Sequence, residues 1–376
     1  MAAARGGRPA RRAAVVASCS MCSGAGVGVV LGGGALRHKS TGEARFVLGR
    51  IDLDAPEPSA EQIEIAFLAH GITPHPHRTR EVVLFEKHGP GCCVVDLASD
   101  EVLRTIDCAP GRQFYGHGAF SPDGALLYCT ETDLEDERRG YITVRDGNTY
   151  ETVGDFPSHG LAPHDCQFAN DGTTLVIANG GSGAGRDEDP PGVSFVDVRD
   201  GKALDVLRVP SGAINAGHLD LTAQGDLALV SAPRDGYDPA RACGGVSLRP
   251  AGGAFVTLAE PTEVVTKLPG ETLSVAIHPQ TRVVGATTPL GNIVTFWSLD
   301  TGALVHKLRV PNPRGIALSR SGDEFLINFG APPRVARVHA GTLQPVDAPG
   351  NRRGFPSFVS GSHIYVDAVA AAYTSA

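Results

Sequence analysis

The chain has few aromatic residues (6%, with one Trp), two methionines, and only 20% charged residues among its 376. Low charge together with 42% hydrophobic residues excludes a disordered polyelectrolyte and leaves enough apolar side chain for a core. Basic charge is the scarcer sign. Lys and Arg number 33 against 41 Asp and Glu, for a net charge of −8. That balance excludes the clustered cationic footprint of a nucleic-acid binder. Three catalytic or binding templates are also missing, namely the GxSxG nucleophile elbow, the HExxH zinc helix and the EF-hand loop. What the chain has in excess is punctuation. Its 47 Gly and 27 Pro occupy close to one position in five, too many for a helical protein.

Charge is unevenly placed. Residues 1–42 hold Arg5, Arg8, Arg11, Arg12, Arg37 and Lys39 and no acid, so the remainder carries −14, six more negative than the whole. Arg11-Arg12 precede an uncharged run from Ala13 to Leu31 that Gly and Ser dilute too far for a stable membrane span. The pattern reads as a leader over 1–42, a twin-arginine export signal, with an organellar transit peptide, a membrane anchor or an artefactual start as the alternatives. The Phe-Leu-Lys usual after the paired arginines is here Ala13-Ala14-Val15. The glycines from Gly24 to Gly34 follow no predicted strand and do not read as a phosphate loop. Six of the eight cysteines lie beyond the leader without paired CxxC spacing. Cys129 and Cys166 fall in apolar strand-like runs and read as buried thiols.

Beyond residue 43 one unit repeats, as strand, tight turn, strand, loop, strand ending in Asp-Gly or Thr-Gly, strand. Its starts fall at His70, His117, His164, His218, Ser274, Arg314 and His363, a mean step of about 49 residues. Four short strands per unit at that period predict an all-β, seven-bladed β-propeller over 43–376. The segments 44–54 and 61–69 read as third and fourth strands without a first. Residues 357–367 supply the missing inner strand, so both termini close one blade.

In a propeller, the first strand of each blade lines the central channel. His70, His117, His164, His218 and His363 therefore converge on one axis as metal ligands, and neutral imidazoles without competing thiolates suit iron, copper, zinc or nickel, of which iron or copper is expected here. Carboxylates are expected behind the rings to fix their tautomers. Glu131, at the end of a second strand, is the expected one, since alternation turns Asp165 away from the side His164 faces. His363 and Glu131 are the candidate acid or base groups. Asn179, His159 and Arg314 are further candidates near the mouth, Arg314 for an anionic substrate. His75 and His278, each before a proline at a turn, are read as structural.

Three segments carry a family resemblance: Phe114–Glu131 (FYGHGAFSPDGALLYCTE), Pro157–His164 (PSHGLAPH) and Thr174–Gly181 (TLVIANGG). His70-Gly71, His218-Leu219 and His363 add to it. Over most of 44–367 the chain resembles an uncharacterised bacterial family of exported propeller proteins. The resemblance implies a periplasmic location and an association with iron-regulated uptake proteins of the imelysin type. The chain departs from the pattern after Asn179, where it is short and acidic, and before His363, where an expected Trp and Asn are missing. A looser similarity, in fold and ligand type only, is to carotenoid-cleaving oxygenases, which hold iron with four histidines.

These readings predict an exported metal-dependent oxidoreductase acting on a small molecule. The alternatives are a non-catalytic metal-binding or delivery protein of the cell envelope, and a propeller scaffold whose histidines are incidental.

Overall fold

Short strands rich in Val, Ile and Leu, separated by turns that reverse the chain, can bury both faces only by stacking sheet against sheet. The computed structural model describes residues 26–38, 40–136, 139–185, 188–347 and 353–367. In it the chain forms seven four-stranded antiparallel sheets, a seven-bladed β-propeller. The inner strands are, from blade one to blade seven, Ala69–Pro74, Arg112–Phe120, Pro163–Phe168, His218–Leu221, Val275–His278, Pro313–Leu318 and Tyr365–Asp367. Each packs beside the next around the ring. Among the described residues, no helix is long and apolar enough to cross a membrane.

Aspartates at the turns explain why the repeat is readable. Asp123, Asp146 and Asp171 each accept backbone N–H bonds from residues two or three ahead, locking the reversal. Between blades the faces interlock through fully buried side chains such as Phe85 and Phe114 on one side of the ring and Phe296, Trp297 and Phe325 on the other. Around the channel, side chains tie one inner strand to the next. Thr73 Oγ1 donates to Gly118 O (2.7 Å), Gln167 Nε2 to Leu219 O (2.8 Å), and Asp220 Oδ2 accepts from Ile277 N (2.7 Å). The inner strands share no backbone ladder, so these bonds satisfy groups that would otherwise be orphaned.

The last blade is closed by both ends of the chain, with one correction to the expectation. Its inner strand Tyr365–Asp367 pairs with Val29–Arg37, followed outward by Ala44–Asp52 and Ala60–Ile65. Val29–Arg37 lies inside the segment read as a leader, so the propeller begins no later than Val29. Three consecutive glycines hid this strand by mimicking a dilute apolar run. Each is needed for a close approach, since a Cβ on Gly33 would stand 2.1 Å from Ala69 O of blade one, and a Cβ on Gly32 or Gly34 would run into Val359 or the Phe358 carbonyl. Arg11-Arg12, Cys19 and Cys22 lie outside the described residues.

Leu31 is fully buried against blade one in this closing sheet. Leu31→Ala is therefore expected to cost about 2–5 kcal/mol of stability in denaturant unfolding. A cost near zero would show that this strand does not close the ring.

Candidate metal centre

Four inner strands are irregular where they reach the axis. Pairing with the second strand slips between Ala69 and Gly71, Phe114 and Gly118, Pro163 and Asp165, and Pro313 and Ile316. The residues left over in these bulges include His70, His117, His164 and Arg314. A bulge re-aims its side chain, and here the histidines turn inward. Gly116 makes the closest approach possible. It sits at φ 117°, and a Cβ there would be 3.0 Å from the His70 ring and 3.3 Å from that of His164. His218 opens the inner strand of blade four, and His363 lies two residues before that of blade seven.

The five predicted imidazoles meet. His70 Nε2 is 3.2 Å from both His164 Nε2 and His218 Nε2, and His218 Nε2 is 2.8 Å from His363 Nε2. The ring of His117 lies 5.0–5.6 Å, centre to centre, from the other four. In His70, His117, His218 and His363, one ligating nitrogen apiece falls within 4.8 Å of all the others. His164 stands to one side, its Nδ1 3.1 Å from the Tyr115 carbonyl. Burial lowers the pKa of all five, well below the ordinary value for every one except His117. Mutual repulsion adds to this for His70, His164, His218 and His363, while Asp165 partly offsets it at His117. All five are neutral at pH 7 and present lone pairs.

The carboxylate behind the rings is Asp165, contrary to expectation. Its Oδ1 is 3.5 Å from His117 Nδ1, and its Oδ2 accepts from Leu219 N at 3.0 Å. The bulge at His164 breaks the alternation that would have turned it away. Glu131, expected in that role and as an acid or base, is fully buried elsewhere. It pairs with Arg145 at 3.0 Å and accepts from Thr143 Oγ1 at 2.7 Å, inside blade two. Asn179 is likewise committed to holding the outer strand of blade two. Its Oδ1 accepts from Ser158 Oγ (2.7 Å), and its Nδ2 donates to Ser158 O (3.2 Å) and Ser194 Oγ (2.9 Å). His159 is exposed on that outer strand, with Nε2 2.8 Å from Gly201 O, and does not support the axial rings. Arg314 is at the axis as expected, donating to Gly361 O (3.3 Å) and Ser362 Oγ (3.1 Å). His75 and His278 hold turns through Nδ1. The six described cysteines are unpaired, and Cys129 and Cys166 are buried.

Inner strands all start on one face of the ring, here called upper, and the loops joining second to third strands lie there too. A cavity of about 360 Å³ opens on that face beside His164, lined also by Lys87, Tyr115 and Glu271. A smaller one of about 170 Å³ lies on the other side of the cluster, against His117, Asp165, His218 and His363.

The family profile described as "Protein of unknown function (DUF1513)" matches residues 63–352. The chain belongs to this family. The DUF1513 match includes His70, His117, His164, His218 and Arg314 and ends before His363. No curated protein matches the sequence. Among solved structures, Kuenenia stuttgartiensis hydrazine synthase is similar with a TM-score of 0.62 and 14% identity, covering 80% of this chain and 93% of that one. At that identity the likeness shows the fold alone.

Two outcomes follow for this DUF1513 protein. Glu131→Ala leaves Arg145 buried without its counter-charge and is expected to lower stability by about 3–5 kcal/mol in urea, with metal uptake by the folded protein unchanged. Lost uptake at unchanged stability would put Glu131 at the centre after all. The lowered histidine pKa values also mean that the unfolded chain binds more protons below about pH 6.5. The metal-free protein therefore has its full stability about one pH unit or more above that value, and its thermal midpoint falls as pH drops through it, from about 7.5 to about 5.5. His363→Gln should flatten this dependence. A midpoint that rises on acidification would contradict neutral imidazoles.

Proposed function

We propose that the axial histidines hold an iron or copper ion and that the protein is an exported metal-dependent oxidoreductase. One observation carries the reading. An imidazole nitrogen offers either one hydrogen or one in-plane lone pair, so His70 Nε2 cannot satisfy His164 and His218 together, although it is 3.2 Å from both. The Tyr115 carbonyl at His164 Nδ1 and the Asp165 carboxylate at His117 Nδ1 draw the hydrogens of those rings outward. That leaves Nε2 lone pairs facing a shared space, and His117 Nε2 is buried with no hydrogen-bond partner. A cation resolves this crowding, whereas hydrogen bonds among the rings cannot.

The spacing is close to that of a shared ion for some of the pairs. With metal–nitrogen bonds of about 2.1 Å, ligands at right angles stand about 3.0 Å apart and tetrahedral ones about 3.4 Å. The contacting pairs at 2.8–3.2 Å are near the former, while the set of four spreads to 4.8 Å, so the preference for iron or copper rests on the all-imidazole donor set and the sequence resemblance. Such an ion would supply one-electron or Lewis-acid chemistry when bound. The chain's own part is to hold the rings neutral and oriented. His363 is the candidate acid or base group if it is not a ligand, and Arg314 beside it favours an anionic substrate.

Export through the paired arginines and work alongside envelope iron-uptake proteins of the imelysin type complete the reading, supported by the leader's composition and the sequence resemblance. A non-catalytic metal-delivery role is favoured by one feature, the presence of five donors, which can fill an ion's coordination and leave no open position.

Elemental analysis of untagged protein tests the proposal. Protein prepared aerobically and anaerobically with metal supplied should retain about one iron or copper ion per chain, and His117→Ala or His164→Ala should weaken retention by more than about tenfold. A parent protein that retains neither metal refutes both the enzyme and the delivery readings and leaves the scaffold.

A further inference from the structure

An ion pair spans the upper mouth of the channel. Lys87 follows the second strand of blade one and Glu271 precedes the inner strand of blade five, three places away around the ring. Their charged atoms nonetheless stand 3.9 Å apart, with side chains 41% and 35% exposed. At that separation and solvation the pair is weak, and its members are free to exchange partners. Both line the cavity of about 360 Å³ whose floor includes His164 and whose wall includes His88 and Tyr115, packed edge to face at 4.3 Å between ring centres.

The charged groups lining the cavity balance, Lys87 and Arg234 against Asp235 and Glu271, and Arg314 at the axis nearby adds one positive charge outside the lining. Among the described residues, Arg314 meets the Gly361 carbonyl and the Ser362 hydroxyl within hydrogen-bonding range, and the acid whose field reaches it is again Glu271. Glu271 thus pairs with Lys87 and acts on Arg314 only at long range. Arg234 and Asp235, which also line the cavity, contribute one charge of each sign. The five neutral imidazoles bring no negative charge, and the field of Lys87 reaches four of them.

We infer that the upper mouth is a receptor for a small organic carboxylate, which takes the place of Glu271 opposite Lys87 and lays its organic part against Tyr115 and His88 above His164. The inference names the substrate class of the proposed metal centre and rests on that reading for its purpose, although binding at the mouth requires no metal. The volume admits a molecule of modest size, and Ala162, Ala216 and Pro233 add apolar wall beside the polar groups. Arg314 supplies long-range attraction without touching the ligand.

Benzoate and its neutral isostere benzamide, titrated calorimetrically into the full chain with and without metal, provide the test. Glu271→Gln removes the resident competitor and should tighten benzoate binding about three- to tenfold. Lys87→Met should weaken it by about tenfold, and benzamide should respond to neither change. Both positions are solvated, so circular dichroism and thermal midpoints should match the parent. The inference is overturned if benzoate does not bind the parent, if both variants shift its affinity in the same direction, or if both leave it within about twofold. Should the metal-free protein show the expected pattern while elemental analysis finds no retained ion, the receptor stands and the metal reading falls. The converse pattern separates them the other way.

Discussion

Three backbone pairings, Val29 with Asp367, Val30 with Val366 and Leu31 with Tyr365, join the two ends of the chain, and the position of every axial side chain is conditional on them. In an open arc the inner strands would share no axis. In a closed ring of seven they must. The short pairing is backed by burial, with Val30 and Leu31 fully excluded from water and packed respectively toward blades six and one. Closure therefore rests on apolar area at two blade interfaces more than on the few hydrogen bonds that mark it.

Within that ring, bulges do the local positioning. A regular strand would send alternate side chains into the blade interface and toward its opposite neighbour. The slips at His70, at Tyr115–His117, at His164 and at Arg314 break that alternation at the upper end of the channel. The cost is local, in ladder bonds that side chains such as Thr130 and Asn328 must replace and in the requirement for Gly116. The gain is a cluster of rings too crowded to satisfy one another. Burial keeps these rings neutral, while the charged pair Glu131–Arg145 is shut away inside blade two.

The same distinction accounts for what was legible in the sequence. Blade number and the five axial histidines could be read because turn aspartates and strand starts recur at a fixed period. Asp165 was misjudged because perfect alternation was assumed beside His164, and a bulge is not visible in residue types. Glu131 was misjudged because its partner, Arg145, lies on the next strand and claims it. Val29–Arg37 was concealed by glycines whose purpose, clearance for the Ala69 and Phe358 carbonyls and for Val359, exists only in three dimensions. Lys87 and Glu271 are 184 positions apart, and only the ring brings them together.

His363 lies just before the strand that shuts the ring, while His70 opens blade one on the other side of the seam. Completing the donor set and closing the ring are therefore the same event. A cation shared by His363 and His70 would act as a rivet across the seam where the two ends of the chain pair. Its binding free energy would then appear as resistance to unzipping, in proportion to the logarithm of free metal concentration over its dissociation constant.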